Sequence, residues 1–122
     1  MTKKVLNYRD LKIWQKGIEL VKAVYLLTRE FPKHELYGLT SQLQRSAVSV
    51  PSNIAEGQTR NSTPDFRRFL FIAQASLSEV DTHIVIAQEL GYVEKEKGKE
   101  IEAQILELRR MIYALLKSLP RK

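Results

Sequence analysis

The sequence predicts an all-α fold: an up-down-up-down antiparallel four-helix bundle, in one domain that spans residues 1–122. Apolar residues recur at steps of three and four through four long segments, which is the spacing of one helix face. The segments are joined by short connections, and short connections make successive helices antiparallel neighbours. No stretch of convincing length shows the alternating pattern of a strand, and the chain has only five glycines and four prolines.

The first helix is predicted over residues 10–30, with Asp10 as its N-cap residue and Phe31-Pro32 as its end. Its apolar positions form a heptad series, and further apolar residues widen that series beyond a single seam. The series comprises Leu11, Trp14, Ile18, Val21, Tyr25 and Thr28, and the residues that widen it are Ile13, Leu20, Val24 and Leu27. Lys12 and Lys16 lie on the opposite side, which we expect to face water.

The second helix, predicted over residues 39–58, organises the rest of the chain because its side chains separate into three surfaces. The core side comprises Leu39, Leu43, Ser46, Val50, Ile54 and Gly57. A polar ladder beside it comprises Gln42, Arg45, Ser49, Asn53, Glu56 and Arg60. A smaller apolar strip comprises Val48, Pro51 and Ala55. A helix with two apolar surfaces usually has two neighbours to bury them against.

Pro51 leaves two interpretations of this helix, because proline inside a helix removes one hydrogen bond and bends the axis. Either the helix breaks at Val50 and restarts with Pro51 in its first turn, or it continues with a kink. We favour continuation, since the polar ladder stays in phase across Pro51.

The third and fourth helices are predicted over residues 64–90 and 94–119. The third starts at Ser62-Thr63-Pro64-Asp65, which combines a hydroxyl cap, a first-turn proline and a carboxylate near the positive helix end, and Gly91 supplies its stop. The heptad positions of the third helix are Phe66, Leu70, Ala73, Leu77, Val80, Ile84 and Ala87, with Phe69 and Ile72 beside them. Those of the fourth are Ile101, Ile105, Leu108, Ile112, Leu115 and Leu119.

The composition argues against catalysis, cofactors and membranes. The chain has no cysteine, which excludes disulfides, thiol catalysis and cysteine zinc sites. His34 and His83 do not follow a glutamate by three residues, as a di-iron bundle requires, and no histidine is placed by the sequence to activate a serine. The N-terminus has no signal-peptide pattern, and we find no apolar run near membrane-spanning length. We therefore predict no enzyme, no metal or other cofactor and no membrane insertion.

The formal net charge is +6, and its placement fits either a polyanion partner or a soluble surface that happens to be basic. Residues 1–30 and 40–78 carry the excess, whereas from Glu79 to the end eight basic residues meet eight acidic ones. The candidate phosphate contacts are Arg45, Arg60, Arg67 and Arg68, with Lys12 and Lys16 as a second group. The competing interpretation is structural, with Asn53 and Glu56 tying neighbouring helix ends.

No aromatic side chain is obviously offered for base stacking, because Trp14 and Phe66 lie at core spacing. We therefore expect any contact with nucleic acid to be mostly electrostatic and weakly sequence-specific. If Arg60, Arg67 and Arg68 are paired with Glu56 and Asp65, a protein-interaction scaffold gains support. If they instead cluster without acidic partners, the nucleic-acid interpretation gains support.

Four segments carry a resemblance to a known family. They are YRDLKIWQKG in the first helix, FPKHELYGLTSQLQRSAVSVPSNIAEG across the second, DFRRFLFIAQASLSE in the third and LGYV before the fourth. Over residues 6–118 the chain resembles the 23S rRNA intervening-sequence proteins, also called four helix bundle or S23 ribosomal protein-like proteins. SVPSNIAEG is the most specific part of the match.

The resemblance implies a bacterial, cytoplasmic four-helix protein without known catalytic residues. Members of the family form homopentameric barrels. A relative, the accessory protein of diversity-generating retroelements, binds nucleic acid through a basic surface and contacts a reverse transcriptase. A pentamer would account for the second apolar surface, with the interface on Val48, Pro51, Ala55, Ile13 and Leu20. The resemblance identifies no nucleic-acid-binding residues, so the arginines above rest on charge placement alone.

From these observations we expect a non-enzymatic homo-oligomer that binds RNA or DNA through a basic surface contributed by several subunits. The alternative is a scaffold that docks a protein partner and has no role in nucleic-acid binding.

Overall fold

The computed structural model of the chain describes residues 7–121, and these form four α-helices and no strand. The helices are α1 (Lys12–Thr28), α2 (Leu39–Thr59), α3 (Thr63–Glu89) and α4 (Lys95–Ser118). Two short 3₁₀ turns, Tyr8–Asp10 and Lys33–Glu35, precede α1 and α2. The all-α prediction is thus confirmed, and the arrangement is that of a four-helix bundle.

The ends of α3 follow their local sequence, whereas α1 is two residues shorter than predicted at each end. Ser62 caps α3 by accepting a hydrogen bond from the Asp65 backbone N–H, and Gly91 follows α3 with a φ of +80°. Asp10 does not cap α1, because it lies in the preceding 3₁₀ turn, and Leu11 at the N-cap position has no capping side chain. The predicted start at Asp10 is therefore wrong by two residues.

Helix α2 runs through Pro51 without a break, so the favoured interpretation of this region is confirmed. Pro51 is buried against Gly17 of α1, where an added Cβ would lie 3.2 Å from the Pro51 Cβ. Because Gly17 has no side chain, α1 and α2 approach closely at this level. The apolar strip of α2 therefore finds part of its partner within the same chain.

The core lies between all four helices and contains most of the predicted apolar positions. Those buried in α3 and α4 are Leu70, Ala73, Leu77, Val80, Ile84, Ala87, Ile101, Ile105, Leu108 and Ile112. In α1 the buried apolar residues are the set that only widened the predicted series, namely Ile13, Leu20, Val24 and Leu27, whereas Tyr25 of the series is 44% exposed. Gly17 lies against Pro51 of α2, and Thr28 of the series is buried and accepts a hydrogen bond from the Gln44 amide of α2.

This packing corrects part of the predicted oligomer interface. Ile13 is 5% exposed, Leu20 is fully buried, and Pro51 is buried as well. All three pack inside one chain, so they present no surface to a second copy. Val48, at 39% exposure, and the half-buried Ala55 still reach the surface.

Helix α3 is apolar on both its buried and its outer side. Phe71, Ile72, Val85 and Ile86 are each more than a third exposed. By length and composition alone, α3 is the one helix among the described residues that could cross a membrane. This corrects the expectation that no apolar run reaches that length. The core helix of a globular bundle satisfies the same criterion.

Glu35 joins the two loops at one end of the bundle. Its carboxylate accepts hydrogen bonds from the Leu39 backbone N–H at 3.1 Å and from the Tyr92 hydroxyl at 2.9 Å. These donors hold the pKa of Glu35 below its ordinary value of 4.5, and the carboxylate in turn raises the pKa of Tyr92. The first bond supplies the cap that α2 otherwise lacks, because its N-cap residue is Gly38.

Candidate nucleic-acid interface

Contacts between the helices show which predicted residues share an end of the bundle. Arg67 reaches the Leu116 carbonyl, and Lys16 pairs with Glu107. Together with the contact between Gly17 and Pro51, these place the start of α1, the end of α2, the start of α3 and the end of α4 at one end. We call this the basic end and define it as residues 7–20, 50–76 and 107–121. The remaining described residues, 21–49 and 77–106, form the far end.

Charge is divided unequally between the two ends. The basic end holds ten basic and five acidic side chains, whereas the far end holds seven basic and nine acidic ones. The basic end therefore has a surplus of five positive charges, and the far end has a surplus of two negative charges. Such a separation creates a directional field along the bundle that attracts polyanions to one end.

Two of the predicted arginines are engaged with protein groups. Arg60 pairs with Glu56 at 3.1 Å, and Arg68 lies 3.9 Å from Asp65. Their guanidinium carbons also lie 5.1 and 4.5 Å from the centre of the Phe69 ring. This cation–π geometry fixes both side chains on a ring that is 8% exposed. Glu56 thus pairs with the end of its own helix, and Asn53 donates to the Ser49 carbonyl of the same helix, so neither makes the tie to a neighbouring helix end that the competing interpretation expected.

Arg67 is also part of the framework. Its Nη1 donates a hydrogen bond of 2.8 Å to the carbonyl of Leu116, near the C-terminal end of α4. The last carbonyls of a helix have no partner within the helix and carry partial negative charge, so a guanidinium is well suited to this place. Arg67 therefore joins α3 to α4 at the basic end.

The predicted lysines and Arg45 lie in different places. Lys12 is exposed at the basic end, whereas Lys16 lies 3.5 Å from Glu107 and 3.9 Å from Glu19. Arg45 is exposed at the far end, in the first half of α2. The structure therefore does not bring Arg45 together with the other candidates.

The cations that sequence reasoning missed lie in the last part of α4 and just after it. They are Arg109, Arg110, Lys117 and Arg121. The balance of eight basic and eight acidic residues from Glu79 onward conceals a division: residues 79–107 have three basic and eight acidic side chains, whereas residues 108–122 have five basic and none acidic. Dividing that segment by charge would have identified them from the sequence.

Arg110, Lys117 and Arg121 are the most accessible of these cations. All three are exposed, and none makes an ion pair among the described residues. Arg109 is half-buried, and its Nη2 donates to the Ser78 hydroxyl at 3.3 Å. The end of α4 thus offers charge that the protein does not itself neutralise.

Arg45 lines a shallow polar groove between α2 and α3, where the structure corrects one expectation. His83 does lie beside a serine, with its Nδ1 3.2 Å from the Ser46 Oγ. The Ser46 hydroxyl also donates to the Leu43 carbonyl at 3.0 Å within α2. Ser46 is only 6% exposed. This contact joins α2 to α3 beside the groove.

Metal ligands are sparse in the part of the chain described by the structure. Within residues 7–121, no group of three or more His, Asp or Glu side chains is placed to hold an ion.

The comparisons with known proteins identify the family. The model of the 23S rRNA-intervening sequence proteins matches residues 9–114, which is most of the chain. The chain belongs to the 23S rRNA-intervening sequence protein family. The resemblance seen in the sequence is therefore confirmed.

A solved structure shares the fold of this member of the intervening-sequence family. It is a protein of unknown function from the S23 ribosomal protein family of Bacteroides thetaiotaomicron, with 22% identity and a TM-score of 0.77. The similarity covers 87% of this chain and 99% of the other. At this identity the likeness concerns the fold alone. No protein with a curated description matches the chain.

Proposed function

We propose that this protein is a non-enzymatic, homopentameric bundle of the bacterial cytoplasm that binds RNA or DNA through its basic end. The observation that carries the proposal is the separation of charge along the bundle, with a surplus of five positive charges at one end. Phosphates of either nucleic acid are the abundant polyanions that such a field attracts.

The last part of α4 and the residues just after it supply the principal contacts in this proposal. Arg110, Lys117 and Arg121 are exposed and lie in a stretch without a carboxylate. Arg60 and Arg68 contribute less, because each already faces an acidic partner at 3.9 Å or closer. Binding of this kind releases counterions from the nucleic acid, so the affinity falls steeply with salt.

Assembly would strengthen this binding, because several copies multiply a modest surplus of charge and engage one polymer together. The support for a pentamer is the family resemblance and the amount of apolar surface that one chain leaves uncovered. The outer side of α3, with Ile72, Val85 and Ile86, offers such a surface, as do Val48 and Ala55 of α2. Sizing by light scattering tests the pentamer directly.

The experiment compares two variants that remove three cations each, one set at the start of α4 and the other in its last part and just after it. One carries Arg110→Gln, Lys117→Gln and Arg121→Gln, and the other carries Lys95→Gln, Lys97→Gln and Lys99→Gln. All six side chains are exposed. Binding to a structured RNA and to a DNA duplex is titrated over a range of salt concentrations, with the size of the particle measured for each variant.

The basic-end variant is expected to weaken binding and to reduce the slope of log affinity against log salt by about 0.9 for each phosphate that the protein no longer neutralises. The far-end variant should leave that slope close to that of the original protein. Equal reductions in both variants would show that net charge, and not its placement, controls binding. That result would contradict the proposed site.

A protein-interaction scaffold remains the second candidate, and two observations favour it. Arg60 and Arg68 are paired with Glu56 and Asp65, which is the outcome that we associated with a scaffold. The apolar outer side of α3 is also suited to a partner protein. The scaffold predicts no binding to either polymer at low salt, whereas the proposed function predicts binding that is strongest there.

A further inference from the structure

The bundle exposes two aromatic rings at its basic end, although sequence reasoning found none for base stacking. Phe71 of α3 is 55% exposed and Tyr113 of α4 is 59% exposed. Large aromatic side chains lose the benefit of burial when they stay in water, so two exposed rings within one region require an explanation.

Both rings lie on the same outer groove between α3 and α4. Arg67 bonds to the Leu116 carbonyl, and Gln74 bonds to the Arg109 carbonyl at 3.1 Å. In α3, Phe71 lies between Arg67 and Gln74. In α4, Tyr113 lies between Arg109 and Leu116. The antiparallel helices therefore bring the two rings to the same level of the bundle.

The side-chain directions agree with this placement. Arg109 reaches across to Ser78, which shows that its side chain points toward α3, and Tyr113 follows it by four residues on the same edge of α4. Phe71 follows Arg67 by four residues on the edge of α3 that contacts α4. Since both rings are more than half exposed, they face the solvent side of the groove.

Each ring has a cation of the protein against it. The Arg67 guanidinium carbon lies 5.8 Å from the centre of the Phe71 ring, and Lys117 Nζ lies 5.7 Å from the centre of the Tyr113 ring. Arg110 of α4 and Arg121, which follows the helix, add to the positive charge of this segment. No acidic residue occurs in residues 108–122 or in residues 66–78, the two stretches that border the rings.

We propose that this groove, formed by Phe71, Tyr113 and the cations around them, binds an unpaired strand of RNA or DNA by stacking bases on the two rings. The inference rests on the proposed function and identifies its ligand more closely. Aromatic faces with adjacent positive charge are the combination by which proteins hold single strands, because every base has a face to stack and a phosphate to pair. A duplex keeps its bases stacked on each other and uses only the cations.

The test replaces each ring by an aliphatic side chain, which preserves apolar character and removes the stacking face. Phe71→Leu, Tyr113→Leu and the double variant are titrated by fluorescence anisotropy with a labelled oligothymidylate and with a DNA duplex of the same length. The matched control is Tyr37→Leu, because Tyr37 is 94% exposed and lies at the far end.

Each single variant is expected to weaken binding of the oligothymidylate by about fivefold or more, and the double variant by more than either. Affinity for the duplex and the salt slope should change little, and Tyr37→Leu should match the original protein. Equal weakening for both polymers, or an effect of Tyr37→Leu as large as that of Phe71→Leu, would overturn the inference.

Two further outcomes separate the inference from the function on which it rests. If the original protein binds both polymers and the leucine variants bind the oligothymidylate unchanged, stacking is wrong and the electrostatic site survives. If the original protein binds neither polymer at low salt, the proposed function fails as well. A change in particle size in the leucine variants would instead assign the rings to an interface between copies.

Discussion

Gly57 of α2 and Phe69 of α3 lie so close that a Cβ added to Gly57 would come within 2.7 Å of the Phe69 Cβ. The same added atom would lie 3.2 Å from the Phe66 ring. Only glycine allows this approach of α2 to the start of α3. The guanidinium groups of Arg60 and Arg68 lie against the Phe69 ring. The close approach at Gly57 therefore also positions these two cations.

Gly57→Ala is therefore expected to reduce the free energy of unfolding by about 2 kcal/mol, because the clash with a Cβ outweighs the higher helix propensity of alanine. Gly98→Ala is the matched control. Gly98 is also a buried helix glycine, but its added Cβ meets only the movable end of the Gln88 side chain. Urea unfolding of both variants measures the difference, and equal stabilities would contradict this account of Gly57.

Glu35 should make stability depend on pH in the acid range. Its pKa is lowered in the folded state by the Leu39 N–H and the Tyr92 hydroxyl, so its contribution is fully present above the ordinary value of 4.5. The contribution is lost as the pH falls through the lower, folded pKa. Glu35→Gln should therefore destabilise the protein most at neutral pH, and the difference from the original protein should shrink in acid.

Urea titrations at several pH values measure this dependence. Tyr92→Phe serves as a partial control, because it removes one of the two hydrogen bonds and leaves the bond from Leu39 in place. It should show an acid dependence between those of the original protein and Glu35→Gln. A constant difference between Glu35→Gln and the original protein at every pH would show that the charge of Glu35 is unimportant.

Gln74 carries a polar atom for which the described residues provide no partner. Its Oε1 is buried without a hydrogen bond, while its Nε2 donates to the Arg109 carbonyl inside α4. Gln74→Met should raise the free energy of unfolding by about 1 kcal/mol, since a buried unsatisfied acceptor is costly. Gln44→Met should not, because the Gln44 amide donates to the Thr28 hydroxyl. Lower thermal stability of Gln74→Met would refute the prediction.

Arg60 and Arg68 should matter more for stability than for binding. The double variant Arg60→Gln, Arg68→Gln removes two ion pairs and two cation–π interactions with the Phe69 ring, so we expect the free energy of unfolding to fall by about 1 kcal/mol. For duplex binding, the slope of log affinity against log salt should change less in this variant than in a double variant with Arg110→Gln and Lys117→Gln. If the variant of Arg60 and Arg68 showed the larger change in slope, these paired arginines would belong to the binding site.

The helices were predictable because their signals are local. Ser62, Pro64 and Gly91 specify the ends of α3 through the chemistry of a few neighbouring residues, and the heptad positions of α3 and α4 follow from periodicity. The phase of α1 was not predictable in the same way. It depends on the fit of Gly17 against Pro51, two residues on different helices.

The sequence predicted that the candidate site is positively charged, but not which residues form it. Arg67 bonds to a carbonyl 49 residues away, and His83 contacts a serine 37 residues away. Such partners depend on how helices align in space, which periodicity does not specify. The exposure of Phe71 was within reach of the sequence, because the heptad series of α3 includes the fully buried Leu70 and leaves Phe71 out. It was missed because only Trp14 and Phe66 were considered for base stacking.

The unequal division of charge also gives each bundle an electric dipole moment, directed from the far end toward the basic end. A polyanion at a distance exerts a torque on that dipole and turns the basic end toward itself before contact. In the proposed pentamer, rotational symmetry makes all copies equivalent. The five basic ends then fall on one circle and the five far ends on another, so the ring meets a nucleic acid with one preferred side.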